Sequence, residues 1–217
     1  YVLGKAVALH ALFHVPTLYV DIITEGDVLF HLGLQRLGIR KLEAVVLSLI
    51  FIVGLSFVIE MFIAQPSVSS IAMGFVPRLN SEMLYVAIGI IGATVMPHNL
   101  YLHSALVQTR RFDATEEGKR QANRYNFLDA FIALNGALFV NAGILILAAA
   151  VFFTRHIPVT EIQQAHQLLS PLVGNNAASI LFGVALLASG QSSTITGQLA
   201  GQIVMEGHLN IRIRPWL

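Results

Sequence analysis

The chain has 217 residues, of which 55% are hydrophobic and 12% charged, and its net charge is +1. A soluble domain carries about 25% charged residues; with a mean hydropathy of +0.71, the composition predicts an integral membrane protein. Cysteine is absent, which excludes disulfides and thiolate metal ligands. No basic patch interleaved with aromatics points to nucleic acid. Any metal would be held by oxygen, imidazole or thioether.

A hydrocarbon core about 30 Å thick needs about 20 helical residues to cross it, and five apolar runs reach that length. They are continuous rather than alternating, which predicts helices and not a membrane barrel. The first covers 16–37, with Pro16 at its start, where a missing N–H costs little. A short basic turn, "RLGIRKLE", leads to the second at 42–64, which stops at Gln65-Pro66. The third covers 83–108. A polar stretch, "TRRFDATEEGKRQANRY", separates it from the fourth at 127–153, and the fifth covers 177–205. Residues 1–13 read as the last turns of a sixth helix. The whole chain, 1–217, is expected to form a single transmembrane domain, a fragment of a larger all-α bundle.

Basic residues alternate between connectors. Arg36, Arg40 and Lys41 sit after the first run and only Arg78 after the second. Arg110, Arg111, Lys119, Arg120 and Arg124 follow the third, only Arg155 the fourth, and Arg212 and Arg214 close the chain. Under the positive-inside rule the rich connectors are cytoplasmic, so the C-terminus of this chain is expected inside.

The third run contains "GATVMPHNLYLHSALVQTR", Gly92 to Arg110. Pro97 removes a helical hydrogen bond and clashes with the preceding turn, which predicts a break near Ala93 to Met96. Carbonyls freed at membrane depth need partners, and broken helices in transporters use them to line a cavity and coordinate cations. Met96 adds a thioether, which favours softer metals over Mg²⁺ and Ca²⁺. Met96, His103 and Arg110 are seven apart, and a heptad drifts only about 20° around a helix. They line roughly one face, with Asn99 one turn before His103 and His98 elsewhere. Imidazoles titrate near neutrality and membrane-embedded ionisable groups form relays, so this stripe suggests a proton or ion path. Taken singly, each residue has a packing explanation: a kink that shapes a bundle, a methionine that fills a core, a histidine bonded to a carbonyl. Their combination favours a substrate site.

Other polar residues are read mainly as structural. Asp21, Glu25 and Asp27 concentrate acid in the first span, Glu60 is expected to snorkel to water, and Asn135 and Asn141 to bond across helices. Gly197 and Gly201 form a small-xxx-small pair suited to close helix approach, with Gln191 a candidate cavity-lining side chain. No nucleophile, base and orienting group occur together, so an enzyme is not expected.

The "GATVMPHNLYLHSALVQTR" stretch closely resembles the sixth transmembrane helix of the Nramp family, proton-coupled transporters of Mn²⁺, Fe²⁺ and related ions. "LGLQRLGIRKLEA" is similar to that family's connection between helices four and five, and "LFGVALLASGQSSTITGQLAGQIVMEG" to its eighth helix. The resemblance runs from the end of helix three to the end of helix eight. It implies a LeuT-like inverted-repeat bundle and alternating access, with divalent metal and protons as cargo, no cofactor, contact with membrane lipid, and a monomer. It further implies a metal bound by the backbone carbonyl of Ala93 and the thioether of Met96, together with an Asp and an Asn from a first-helix Asp-Pro-Gly-Asn motif that this sequence lacks. His98, His103 and Arg110 match positions tied to proton movement or gating, Asp27 a position commonly Asp, and Tyr1 falls where glutamate is usual. A bacterial inner-membrane location is expected. The alternatives are a truncated, non-transporting membrane component and an Nramp-related Mg²⁺ transporter, in which the methionine would be replaced.

Overall fold

The computed structural model describes residues 2–13, 19–20, 22–24, 26, 39–76, 80–110 and 112–208. Among them are the helices α1 (Val2–Phe13), α2 (Ile39–Ala64), α3 (Val68–Gly74), α4 (Ser81–Val95), α5 (Pro97–Gln108), α6 (Glu116–Val151), α7 (Ile162–Val173) and α8 (Asn176–His208). A single 3₁₀ turn, Phe153–Arg155, follows α6, and no strand occurs among the described residues.

Four segments among the described residues are long and apolar enough to cross a membrane: Arg40–Ala64, Met83–Gln108, Glu116–Arg155 and Ala177–Gly207. The first expected span, 16–37, lies mostly outside the described residues. Along the others, Phe51, Phe62, Tyr85, Leu134 and Phe139 are each more than two-thirds exposed. Contiguous apolar surface on that scale is foreign to a soluble monomer, and the chain is an integral membrane protein.

Helix α6 continues well past the apolar run that begins at Phe127. Its first turn carries Glu116 and Glu117, where acids complement the helix dipole. Thr115 Oγ1 accepts from the Gly118 N–H at 3.1 Å, the capping bond expected of a threonine at a helix start. The polar stretch therefore supplies helix as well as connector. Helices α3 and α7 lie in segments that hydropathy alone leaves as connectors.

The described residues fall into two compact units, one drawn from within 1–67 and 139–195, the other from within 68–138 and 196–208. In the first, Phe57, Leu147, Val151, Leu169, Ala178 and Ala185 make a buried cluster, contributed by α2, the end of α6, α7 and the start of α8. Within a membrane such a cluster is held by close packing rather than by transfer out of water. The α7–α8 corner is made by Gly174, whose φ of 74° is the left-handed conformation that closes a helix cheaply only with glycine. Ser179 then ties the two helices, donating from Oγ to the His166 carbonyl at 2.7 Å.

Helices α1 and α8 approach most closely at glycine. A Cβ on Gly183 would stand 2.6 Å from Leu12 Cδ2, and one on Gly190 would stand 2.8 Å from Lys5 Cγ and 3.1 Å from the Lys5 backbone nitrogen. Pairing of the later glycine with the earlier residue of α1 means that the helices run antiparallel. This corrects the expectation placed on Gly201, around which nothing lies within 4 Å of an added Cβ; the close contact sits earlier in α8, at Gly183 and Gly190, where α1 crosses. Asn135 likewise departs from expectation, since its Nδ2 donates to Phe131 O at 2.8 Å within its own helix.

In the second unit, α4 opens on Asn80, whose Oδ1 accepts from the Met83 N–H at 2.7 Å. An asparagine there satisfies one of the four N–H groups that a helix start leaves unpaired.

These contacts order three glycine substitutions. Gly190→Ala meets backbone that cannot move aside and is expected to destabilise by about 1–3 kcal/mol. Gly183→Ala meets only side-chain atoms of Leu12, its Cδ2 and Cγ, which can turn aside where backbone cannot, and costs less. Gly201→Ala, in open space, gains up to about 1 kcal/mol of helix propensity. Thermal unfolding of the complete protein in detergent checks the order; a Gly190→Ala variant as stable as the parent would overturn it.

Candidate functional site

The third span is two helices, not one. Helix α4 ends at Val95, α5 begins at Pro97, and Met96 stands between them with φ 39° and ψ 80°, a left-handed conformation. A residue other than glycine reaches this region at a cost of about 1–2 kcal/mol. Pro97 stops the first helix from running through Met96, because the proline ring disfavours the right-handed helical region for the residue before it, while its own fixed φ suits the first position of a new helix. The break is thus confined to one residue, narrower than the Ala93–Met96 stretch expected.

The chemistry follows from which groups the break strips. The fourth residue after Ala93 is Pro97, which has no N–H, so the Ala93 carbonyl lacks its ordinary helical donor. Met96 is half-buried, while Ala93 and His103 are exposed. Two bonds tie the break to the new helix: the Asn99 N–H donates to the Met96 carbonyl at 3.0 Å, and Asn99 Nδ2 donates to Met96 Sδ at 3.5 Å. The sequence had placed Asn99 only by its spacing from His103. His98 belongs to α5, but its side chain lies outside what the structure describes.

Arg110 ends the stripe differently from the heptad reading. Helix α5 stops at Gln108, with Thr109 as its cap, so Arg110 stands beyond the helix rather than on its face. Its Nη2 donates to Asp129 Oδ2 of α6 at 2.9 Å, with both side chains about half exposed. Sequence reasoning missed Asp129. The signal was present, since an acid inside an apolar segment asks for a named partner.

Gln191 and Glu60 belong to the other unit. Gln191 lines a cavity of about 400 Å³ with Lys5, Thr24, Leu49 and Val184, its walls mostly aliphatic. Asp27, with Asp21 and Glu25, lies outside the described residues. Glu60 does not snorkel: it is 1% exposed, and neither carboxyl oxygen has a hydrogen-bond partner among the described residues. The reason is its register. It shares with Val53, Ser56, Phe57 and Ala64 the stripe of α2 that packs inward, so its stem points at the core and not along the helix toward water.

Among the described residues no three His, Asp or Glu side chains are placed to hold a metal ion. The break therefore offers a different donor set, one carbonyl and one thioether, which suits a dehydrated transition-metal ion better than the hard ions that select carboxylates.

Comparison with known proteins agrees with this architecture. The natural resistance-associated macrophage protein-like (Nramp) family model matches residues 1–217, and the chain belongs to that family. It is 51% identical over 220 residues to a divalent metal cation transporter MntH of Listeria innocua, covering 99% of this chain and 49% of the relative. It is 52% identical over 221 residues to the MntH of Xanthomonas campestris, covering 100% and 50%. A natural resistance-associated macrophage protein 2 homolog of Dictyostelium discoideum is 50% identical over 218 residues, covering 100% and 35%. The chain thus spans half or less of the length of these relatives. A crystal structure of the Eremococcus coleocola manganese transporter, in complex with an aromatic bis-isothiourea substituted compound, superposes with a TM-score of 0.88 at 38% identity, covering 99% of this chain and 48% of that one. The chain is accordingly part of a LeuT-like transporter bundle.

The Arg110–Asp129 pair yields a measurable expectation. Half-exposed ion pairs contribute about 0–1 kcal/mol, so a double-mutant cycle of Arg110→Ala and Asp129→Ala on thermal unfolding should give a coupling in that range. A coupling above about 3 kcal/mol would show the pair to be desolvated.

Proposed function

We propose that the protein containing this chain moves divalent transition-metal ions, Mn²⁺ and Fe²⁺, into the cytoplasm by alternating access, driven by protons. The observation that carries the reading is the left-handed Met96 between α4 and α5, which leaves the Ala93 carbonyl without its helical donor beside a thioether. In this reading both donors bind the ion, which sheds most of its water, and the remaining ligands come from an Asp-Pro-Gly-Asn segment outside this sequence. The names of the relatives, divalent metal cation transporter and manganese transporter, support the substrate class.

Each remaining residue has a part in the reading. Pro97 keeps the helix open. His98, His103 and Arg110 carry or gate protons between the break and the basic, cytoplasmic end, where Asp129 holds Arg110. Gln191 and Asp27 line the path, and the chain forms part of one transmembrane domain of a monomer in a bacterial inner membrane, its C-terminal end inside. Imidazole is the side chain whose charge changes near neutral pH, which suits coupling to an inward proton gradient.

Selectivity rests on the sulfur. Thioether is a poor ligand for Ca²⁺ and Mg²⁺, which take oxygen, so Met96 discriminates against the two abundant hard ions. Uptake of Mn²⁺ into proteoliposomes under an inward proton gradient tests this, with the 217-residue chain beside its complete reading frame, each with and without Met96→Ala. The expected result is transport by the complete frame, and competition by Ca²⁺ after Met96→Ala that the parent does not show. An inert complete frame would sink the transport reading, and intact Ca²⁺ exclusion in Met96→Ala would sink the selectivity argument alone.

A further inference from the structure

We infer that Asn99 is a positioning residue for the Met96 sulfur, and that its carboxamide sets how well the site takes soft metals. The inference rests on the metal-site reading above and goes beyond it to a residue that does not itself touch the ion. Its basis is the contact from Asn99 Nδ2 to Met96 Sδ at 3.5 Å, made one turn into α5.

Methionine is a poor ligand on entropic grounds, because three rotatable bonds leave its sulfur free to wander. Immobilising such a side chain costs conformational entropy, a penalty that an ion would meet on every binding event. The Asn99 contact meets it beforehand. The Asn99 backbone is held to the same residue, since its N–H bonds the Met96 carbonyl at 3.0 Å, so backbone and side chain of Asn99 both reach back to Met96. The sulfur has two lone pairs. The amide N–H occupies one and leaves the second for a cation.

The geometry also assigns a sign. Asn99 acts only through the sulfur, so its loss should matter in proportion to how much an ion relies on thioether. Cd²⁺, the softer ion, should suffer more than Mn²⁺. Groups that orient a metal ligand typically contribute about 10- to 100-fold in affinity.

The test is a binding cycle on the complete protein, with Cd²⁺ and Mn²⁺ affinities measured for the parent, Asn99→Leu, Met96→Ala and the double variant. Leucine keeps the size of asparagine and removes the donor. Asn99→Ala is carried alongside, because alanine is the strongest helix former and guards against a folding defect in the first variant. The expected result is a loss of about tenfold in Cd²⁺ affinity, a smaller loss for Mn²⁺, and no further change when Asn99→Leu is added to Met96→Ala. Asn99→Gln, which retains the N–H, should recover part of the Cd²⁺ preference. Equal losses for both metals, or a loss that persists in the Met96→Ala background, would overturn the positioning role while leaving the metal site standing. Unchanged Cd²⁺ binding in Met96→Ala would remove the metal site itself and the positioning role with it.

Discussion

An unpaired backbone group in hydrocarbon costs several kcal/mol, and this constraint governs how the chain is built. It is why the described spans are helices, whose hydrogen bonds close within the segment, and why an interruption in one of them cannot be casual. Val95 ends one helix and Pro97 begins the next, with the change of direction compressed into a single residue. The economy of that break matters: it withholds the helical donor from the Ala93 carbonyl, three residues before the methionine that carries the sulfur.

The rest of the bundle shows the same economy in other forms. Where α1 meets α8, glycines remove side chains so that helices touch backbone to side chain. Lipid is as apolar as leucine, so burial gives little drive to associate in a membrane, and close packing must supply it. Gly183 and Gly190 provide that contact, while Gly174 lets α7 turn back within a left-handed residue. Glu60 stands against the trend. It is a buried acid with no hydrogen-bond partner among the described residues, an arrangement that is costly in a membrane protein.

What could be read from the residues divides along physical lines. Hydropathy reports how long an apolar run is, and so it registered the four spans found among the described residues; it is silent on where a helix continues in water, which is why the start of α6 at Glu116 and the helices α3 and α7 were not visible. The break was legible because proline acts locally, through its ring and its missing N–H. Arg110 was misplaced because heptad arithmetic assumes a helix that continues, and α5 stops short of it. Its partner Asp129 and the sulfur contact of Asn99 depend on side-chain torsions and on a second helix, neither of which leaves a trace in spacing. Glu60 failed for a related reason: snorkelling was judged from its nearness to the end of the span, when the deciding quantity was the face it occupied.

The missing donor at Ala93 has a consequence for inheritance. A ligand supplied by a side chain can be lost by changing its own codon, but an acceptor that belongs to the main chain survives almost any replacement at its own position. Its vulnerability is displaced to the residue that withholds the N–H. Variation at position 93 would thus be filtered by size alone, and the genetic record of that oxygen would be written at position 97.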